Sequence, residues 1–267
     1  MSDLKNIYIC FPGGKHKVLT LSFDDGREED RRLLELFRKY GVKGAFNLNS
    51  GLHLQGRIPQ SEYPALYAGQ EVACHTALHP TIARSPIEQT ARQVLEDRQG
   101  LERLMGYPVR GLAYPNGSYS QQIIDLLPGL GIRYARTVNA TYSFAMPPNY
   151  LEWNPTCHFR NRLMELGEQF VNLHKTQYLY MMYVWGHSYE LPEQGGWELL
   201  ESFFALASGQ EDTWYATNIE IVDYMDAASR LQFTMDGDLV CNPSFCSCWI
   251  EADGRILEIP GGGTVKI

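Results

Sequence analysis

Residues able to do chemistry cluster in four short stretches of this sequence. Asp24-Asp25-Gly26 closes the apolar, β-branched run Val18-Leu19-Thr20-Leu21-Ser22-Phe23, which has the composition of a buried strand. Two adjacent carboxylates repel, so burying them is costly unless a cation or a proton offsets the charge. The same three residues also make an ordinary strand-ending turn. The second stretch, His75-Thr76-Ala77-Leu78-His79-Pro80, sets two imidazoles four residues apart. Two histidines and one carboxylate, with a position open to water, are a common Zn²⁺ ligand set, and Asp25 would be the third ligand. Alone, such a histidine pair is more often coincidence; a carboxylate pair at a second strand end favours the metal reading. The third stretch, Ala113-Tyr114-Pro115-Asn116-Gly117, is either a turn or a backbone N–H aimed at a developing oxyanion. In the fourth, Trp185-Gly186-His187-Ser188, the histidine is either a satisfied polar group at a strand end or a general acid facing the metal.

These stretches need elements that bring them together. Strand patterns cover 18–24, 42–48, 71–74, 110–114, 132–138, 178–185 and 214–216, and helical spacing covers 28–40, 120–127, 163–173, 197–207 and 219–231. The longest helix is expected to open on a capping box, with Ser85 as N-cap, Pro86 at the first position and Glu88 completing it, and to run to Met105 before Gly106. Residues 139–161 read as a long active-face loop, with Trp153, Trp185 and Trp197 as rim aromatics or core. Seven strands alternating with helices predict a parallel α/β architecture, a closed barrel or an open sheet. Every candidate stretch follows a different predicted strand, and ligand sites gather at that end of parallel folds. From Gln232 the texture changes to short alternating runs around Asp236-Gly237 and Asp253-Gly254, which are hairpin turn signals. The chain is therefore divided into residues 1–231 and a small β-hairpin appendage, 232–267, packed on them.

The composition excludes several partners. With 23 basic and 31 acidic residues the net charge is 23 − 31 = −8, without long single-sign runs, so neither a nucleic-acid nor an anionic-membrane footprint is indicated. The first residues lack a secretory pattern and no apolar run is long enough to span a bilayer, so a cytoplasmic location is expected. The six cysteines show no metal-ribbon spacing and are read as reduced, with Cys246 and Cys248 sharing one strand face.

Taken in order, Ser22-Phe23-Asp24-Asp25-Gly26, His75 to Pro80, Ala113 to Gly117 and Val184 to His187 resemble the motifs of the polysaccharide deacetylases, carbohydrate esterase family 4 or the nodulation-protein homology domain. The resemblance spans about 18–228 and implies an irregular seven-stranded (β/α) barrel. It implies Asp24 as general base, His187 as general acid, and Asp25, His75 and His79 as ligands of one divalent ion, Zn²⁺ first, with Co²⁺, Ni²⁺ or Fe²⁺ as alternatives. Tyr114, Asn116 and Trp185 become the oxyanion and substrate residues. The implied reaction is metal-dependent hydrolysis of acetyl groups on an N- or O-acetylated carbohydrate; the alternatives are a small cytosolic amide as substrate, or an inactive carbohydrate-binding relative. One departure stands out. Where many members read Arg-Pro-Pro-Tyr-Gly this chain has Ala113 to Gly117, so the arginine that orients the base is missing; Arg136, near the end of the fifth strand, and Arg110 are the alternatives that could approach Asp24, with a surface position the expected one for each. The aspartate that orients the acid histidine has no match either.

Overall fold

The computed structural model describes residues 4–267. Its centre is a curled sheet of parallel strands: β2 (Lys17–Asp24), β3 (Gly44–Leu48), β4 (Glu71–Cys74), β5 (Gly111–Ala113), β6 (Tyr134–Arg136), β7 (Cys157–His158) and β8 (Tyr180–His187). They lie in the order β6-β5-β4-β3-β2-β8-β7, and β9 (Thr213–Tyr215) pairs with the first half of β2. Since β8 occupies one edge of β2 along its whole length, β9 and β3 share the other edge in turn. The two ends of the sheet are drawn together by the segment between β6 and β7. Trp153 exchanges hydrogen bonds with Ala135 on β6 and Thr137 just beyond it, while Thr156 and Phe159 donate to Tyr183 and Trp185 on β8. The result is the irregular (β/α) barrel.

Period-two alternation decides what the barrel does with each strand. Leu19, Leu21 and Phe23 of β2 join the outer core with Phe46, Leu48, Val72, Leu112, Met182 and Val184, where the helices cover them. The intervening residues point inward: Val18 joins Ala73, Tyr134, Met181 and Tyr183 in the inner core, and Thr20 and Ser22 hydrogen-bond to Asn218 and Asn47 across the lumen. The same alternation carries Asp24 into the lumen at the C-terminal end.

The helices are α1 (Asp30–Tyr40), α2 (Tyr63–Leu66), α3 (Ile87–Met105), α4 (Gln121–Leu126), α5 (Leu163–Val171), α6 (Gly196–Ala207) and α7 (Asn218–Ala228). The expected capping box at α3 is absent. Ser85 closes a preceding 3₁₀ turn by donating its N–H to Ile82, so its hydroxyl caps nothing and the helix starts after Pro86. A complete capping box occurs instead at α7, between Thr217 and Glu220.

Two small antiparallel sheets lie beyond the barrel. One combines β1 (Ile7–Cys10), which the sequence pattern did not show, with β12 (Cys248–Ala252) and β13 (Arg255–Ile259); the other contains β10 (Gln232–Phe233), β11 (Leu239–Cys241) and β14 (Thr264–Lys266). The Asp253-Gly254 turn pairs Ala252 with Arg255 as expected, both turn residues taking positive φ. Tyr224 of α7 ties this layer down, its hydroxyl donating to Cys10 O and accepting from Trp249 N–H. All six cysteines are free, and Cys246 precedes β12 and is exposed rather than sharing a buried face with Cys248.

Three buried carboxyls, Asp30, Glu71 and Asp97, give the fold a pH signature, burial raising Asp97 to about 7. Burial pushes Asp30 and Glu71 each up to about 7, although Asp30 accepts from Tyr67 Oη at 2.7 Å and Glu71 from Tyr134 Oη at 2.7 Å and Ile219 N at 2.8 Å. Ordinary carboxyls titrate near about 4, so between about pH 4 and pH 7 the folded state holds more protons than the unfolded one. The contribution of these groups is complete below about pH 4 and is lost as pH rises through about 7. The melting temperature is expected to fall between about pH 5 and pH 8, and Asp30→Asn should flatten the slope. An unchanged slope in that variant would remove Asp30 from the explanation.

Candidate active site

At the C-terminal rim, the inward positions of successive strands and the residues just beyond them converge. Asp24 (β2), Asn47 (β3), His75 (after β4), Arg136 (β6), His158 (β7) and His187 (β8) meet there. Asp24 is 2% exposed. Its Oδ1 accepts from Asn47 Nδ2 at 2.8 Å, and its Oδ2 accepts from the Arg136 guanidinium. His75 Nε2 and His187 Nε2 approach the same Oδ2 at 3.8 and 3.9 Å. Burial alone would raise the carboxyl; the charges of Arg136, His75 and His187 and the Asn47 amide outweigh it and hold it down at about 2. Arg136, expected at the surface, is 1% exposed and stacks 4.3 Å from the Trp185 ring. It lies two residues beyond Tyr134 on the inward face of β6. Arg110 is the surface arginine, paired with Asp223.

Asp25 has its own arginine. Arg57, in the loop before α2, donates to the Asp25 carbonyl, to Asp25 Oδ1 at 3.1 Å and to Asn49 Oδ1 at 3.0 Å. Each member of the acidic pair is thus offset by a guanidinium from a distant part of the chain. The ligating atoms of Asp25, His75 and His79 lie within 4.8 Å of one another. His75 Nδ1 is 2.9 Å from Ala113 O, so that nitrogen carries the proton and Nε2 is left with its lone pair. Burial lowers the His75 pKa to about 4, which keeps the imidazole neutral. Its backbone is fixed too, since Asp97 on α3 accepts from His75 N at 2.9 Å and from Ser50 N at 2.6 Å. Two imidazoles, that of His75 oriented by Ala113 O, and one carboxylate are a donor set that fits a divalent ion such as Zn²⁺. Local backbone strain marks the same place: of the eight non-glycine residues with positive φ among the described residues, Asp25 (80°), Thr76 (63°), His79 (56°) and Asn116 (56°) all lie in these loops.

His187 ends β8 half-buried, with Nε2 toward Asp24 and Nδ1 3.3 Å from Glu190 Oε1. Burial disfavours its charged form, but the Glu190 hydrogen bond and the Asp24 and Glu190 charges prevail, and its pKa is raised. Glu190 is shared: its Oε2 lies 3.0 Å from His158 Nε2. Arg160 N–H donates to His158 Nδ1 at 3.3 Å. Glu190 thus stands between the two imidazoles, hydrogen-bonded to His187 and within ion-pair distance of His158. Neither Glu190 nor His158 stood out in the sequence; His-x-x-Glu on a tight turn after β8 was the available signal.

The remaining candidates separate. Tyr114 is 1% exposed and its hydroxyl donates to Leu151 O at 2.7 Å, while its own N–H is taken by Arg136 O, so its side chain is part of the wall. Asn116 is exposed, its amide donates to Thr81 Oγ1 at 3.2 Å, and its backbone N–H has no acceptor among the described residues. Trp185 is half-buried between Arg136 and His158. Trp153 is fully buried against Tyr134, Tyr150 and Tyr183, and Trp197 is 8% exposed beneath Arg32, so neither lines the rim.

Residues 12–135 match the model of the polysaccharide deacetylase family. Among solved structures, a candidate polysaccharide deacetylase from Mycobacterium smegmatis is similar with a TM-score of 0.64 at 19% identity, over 83% of this chain and 94% of that one. A Puue allantoinase gives a TM-score of 0.63 at 14% identity, over 80% and 91% of the two chains. A CE4 family pseudoenzyme from Bacillus anthracis gives 0.53 at 19% identity, over 81% and 68%. At these identities the likeness is one of fold. No curated protein matches the chain by sequence. The segment similar to the polysaccharide deacetylase family runs from ahead of β2 to within β6 and carries Asp24, Asp25, His75 and His79.

Proposed function

We propose that this protein is a divalent-metal-dependent hydrolase that removes acetyl groups from an N- or O-acetylated carbohydrate. The observation that carries the reading is Asp24 held ionised by Arg136 between His187 and the Asp25-His75-His79 group. An ion held by those three residues supplies Lewis acidity toward the acetyl carbonyl and acidifies water. Asp24, anchored by Asn47 and Arg136, accepts the proton of the attacking water. The Asn116 N–H, free of other acceptors and set by its positive φ, supports an oxyanion role. His187, whose protonated form Glu190 favours, delivers a proton to the departing sugar nitrogen or oxygen from the other side of Asp24. Retention of both acids and of His75, His79 and His187 supports an active enzyme over an inactive carbohydrate-binding relative. The free cysteines support a reducing, cytoplasmic setting. Among the described residues no helix is long and apolar enough to cross a membrane.

The test is acetate release from N-acetyl and O-acetyl sugars and their oligomers, with small amides in parallel, before and after chelation and reloading with Zn²⁺ or Co²⁺. Activity on acetylated sugars should vanish with chelator and return with metal, and His75→Ala should abolish stoichiometric metal binding in equilibrium dialysis. Turnover of small amides alone would replace the carbohydrate with that substrate class, and chelator-insensitive activity would refute the metal assignment.

A further inference from the structure

Three arginines stand around the acidic pair, and two are engaged: Arg136 with Asp24, and Arg57 with Asp25 and Asn49. Arg27, directly after Gly26, is different. Among the described residues no carboxylate lies within ion-pair distance of its guanidinium, and its Nε is buried without a hydrogen-bond partner. It is nevertheless held in place. Arg27 and Arg57 form a short antiparallel bridge, flanked by Glu28 N–H to Gly56 O at 3.2 Å and Ile58 N–H to Gly26 O at 2.9 Å. Gly56, at φ 81°, lets the guanidinium pass close to the backbone, since a Cβ there would come within 3.3 Å of Arg27 Nη2. On its other side the guanidinium lies 5.5 Å from the Tyr189 ring. Tyr189 is 40% exposed and its ring is 5.0 Å from that of His187. Arg27 is thus a fixed, half-buried cation at the opening of the site, one aromatic ring from the acid histidine.

A guanidinium partly removed from water and lacking a counter-ion is unfavourable, and a planar anion able to accept two of its N–H donors relieves that cost. We propose that Arg27, with Tyr189 as its stacking wall, is a subsite for an anionic substituent of the substrate, a carboxylate or a phosphate, so that the preferred substrate is an acidic acetylated saccharide. The proposal rests on the deacetylase reading for the reaction and on Arg27 alone for the charge. Lysine would not replace arginine here, because it offers a point charge without the flat face that meets Tyr189 or the two-pronged donor set.

The experiment compares wild type, Arg27→Gln and Arg27→Lys, each loaded with Zn²⁺, on three acetylated sugars of matched size: neutral, uronate-bearing and phosphorylated. A charged hydrogen-bonded contact is worth roughly 1.5–3 kcal/mol, or about 10- to 150-fold. Wild type should favour at least one anionic sugar by about 10-fold or more in kcat/KM, with the preference shrinking as salt is raised. Arg27→Gln should lose at least about ten times more activity on that sugar than on the neutral one, and Arg27→Lys should recover only part of it. The arm that responds identifies carboxylate or phosphate. Absence of any anionic preference in wild type, or equal losses on charged and neutral sugars, overturns the proposal. Calorimetric binding of the corresponding non-acetylated sugars keeps the two readings apart. Arg27-dependent binding of the acidic sugar without turnover of any acetylated one would refute the deacetylase reading and leave the subsite standing; turnover with Arg27-independent binding would do the reverse.

Discussion

The Asp24→Asn protein is expected to take up its full complement of metal and to release no measurable acetate. The amide keeps the shape of the carboxylate and the hydrogen bond from Asn47 is replaceable, but it has neither the basicity to accept a proton nor the charge that faces Arg136. Asp25→Asn should behave differently. It removes the anionic member of the metal group and the partner of Arg57, so metal affinity falls and activity follows it. Measuring metal content by mass spectrometry beside turnover at saturating metal separates the two. If Asp25→Asn keeps its metal while Asp24→Asn loses it, base and ligand must be exchanged. Arg136→Met is the companion test of how Asp24 is held: it leaves a buried carboxylate without its principal cation, a change that typically costs about 3–5 kcal/mol when one partner of a buried pair is removed. Its kcat should fall with metal binding intact.

Much of the barrel could be read from the chain because its strands obey a simple rule. Buried parallel strands are continuous apolar runs, and Val18 to Phe23, Glu71 to Cys74 and Tyr180 to Val184 appear in the structure within a residue or two of their expected bounds. Asp25, His75 and His79, whose ligating atoms the structure brings within 4.8 Å of one another, stood out in the sequence for the same reason, since each lies beyond the end of such a run. What escaped was whatever depends on long-range pairing. β1 has only four residues and acquires its meaning from β12, which lies more than two hundred positions later. β7 has two residues inside a segment rich in Pro and Asn, and it exists because the barrel has to close between β6 and β8. The arginines escaped for a related reason. A guanidinium on a three-residue strand carries no mark of which face it occupies, so Arg136 looked like a surface residue until β6 was seen to turn Tyr134 and Arg136 inward together. Arg57 lies in a loop with no periodicity at all. The expected capping box at Ser85 failed through a local competitor, the 3₁₀ turn of Ile82 to Arg84, which claimed Ser85 first.

His187→Ala should lower turnover by about 10²- to 10⁴-fold, the usual worth of one positioned proton transfer, without emptying the metal site. The size of the loss should depend on the leaving group. An aryl acetate releases a phenolate that needs little protonation, whereas an N-acetyl sugar cannot expel its nitrogen as an anion. The variant should therefore keep far more of its activity on the first substrate than on the second. Glu190 refines the test, because it sits between the two imidazoles, 3.3 Å from His187 Nδ1 and 3.0 Å from His158 Nε2. With Glu190→Gln the carboxylate that favours the protonated imidazole is gone, and the His187 pKa should drop from its raised position toward or below the ordinary histidine value. A lower pKa means that the proton is lost at lower pH, so the alkaline limb of kcat on the N-acetyl sugar should move to lower pH while the aryl acetate profile changes little. A merely structural histidine would produce neither pattern. Equal fractional losses on both substrates in His187→Ala, measured at matched metal occupancy, would exclude the acid role and return His187 to the rim of the barrel as a polar wall residue.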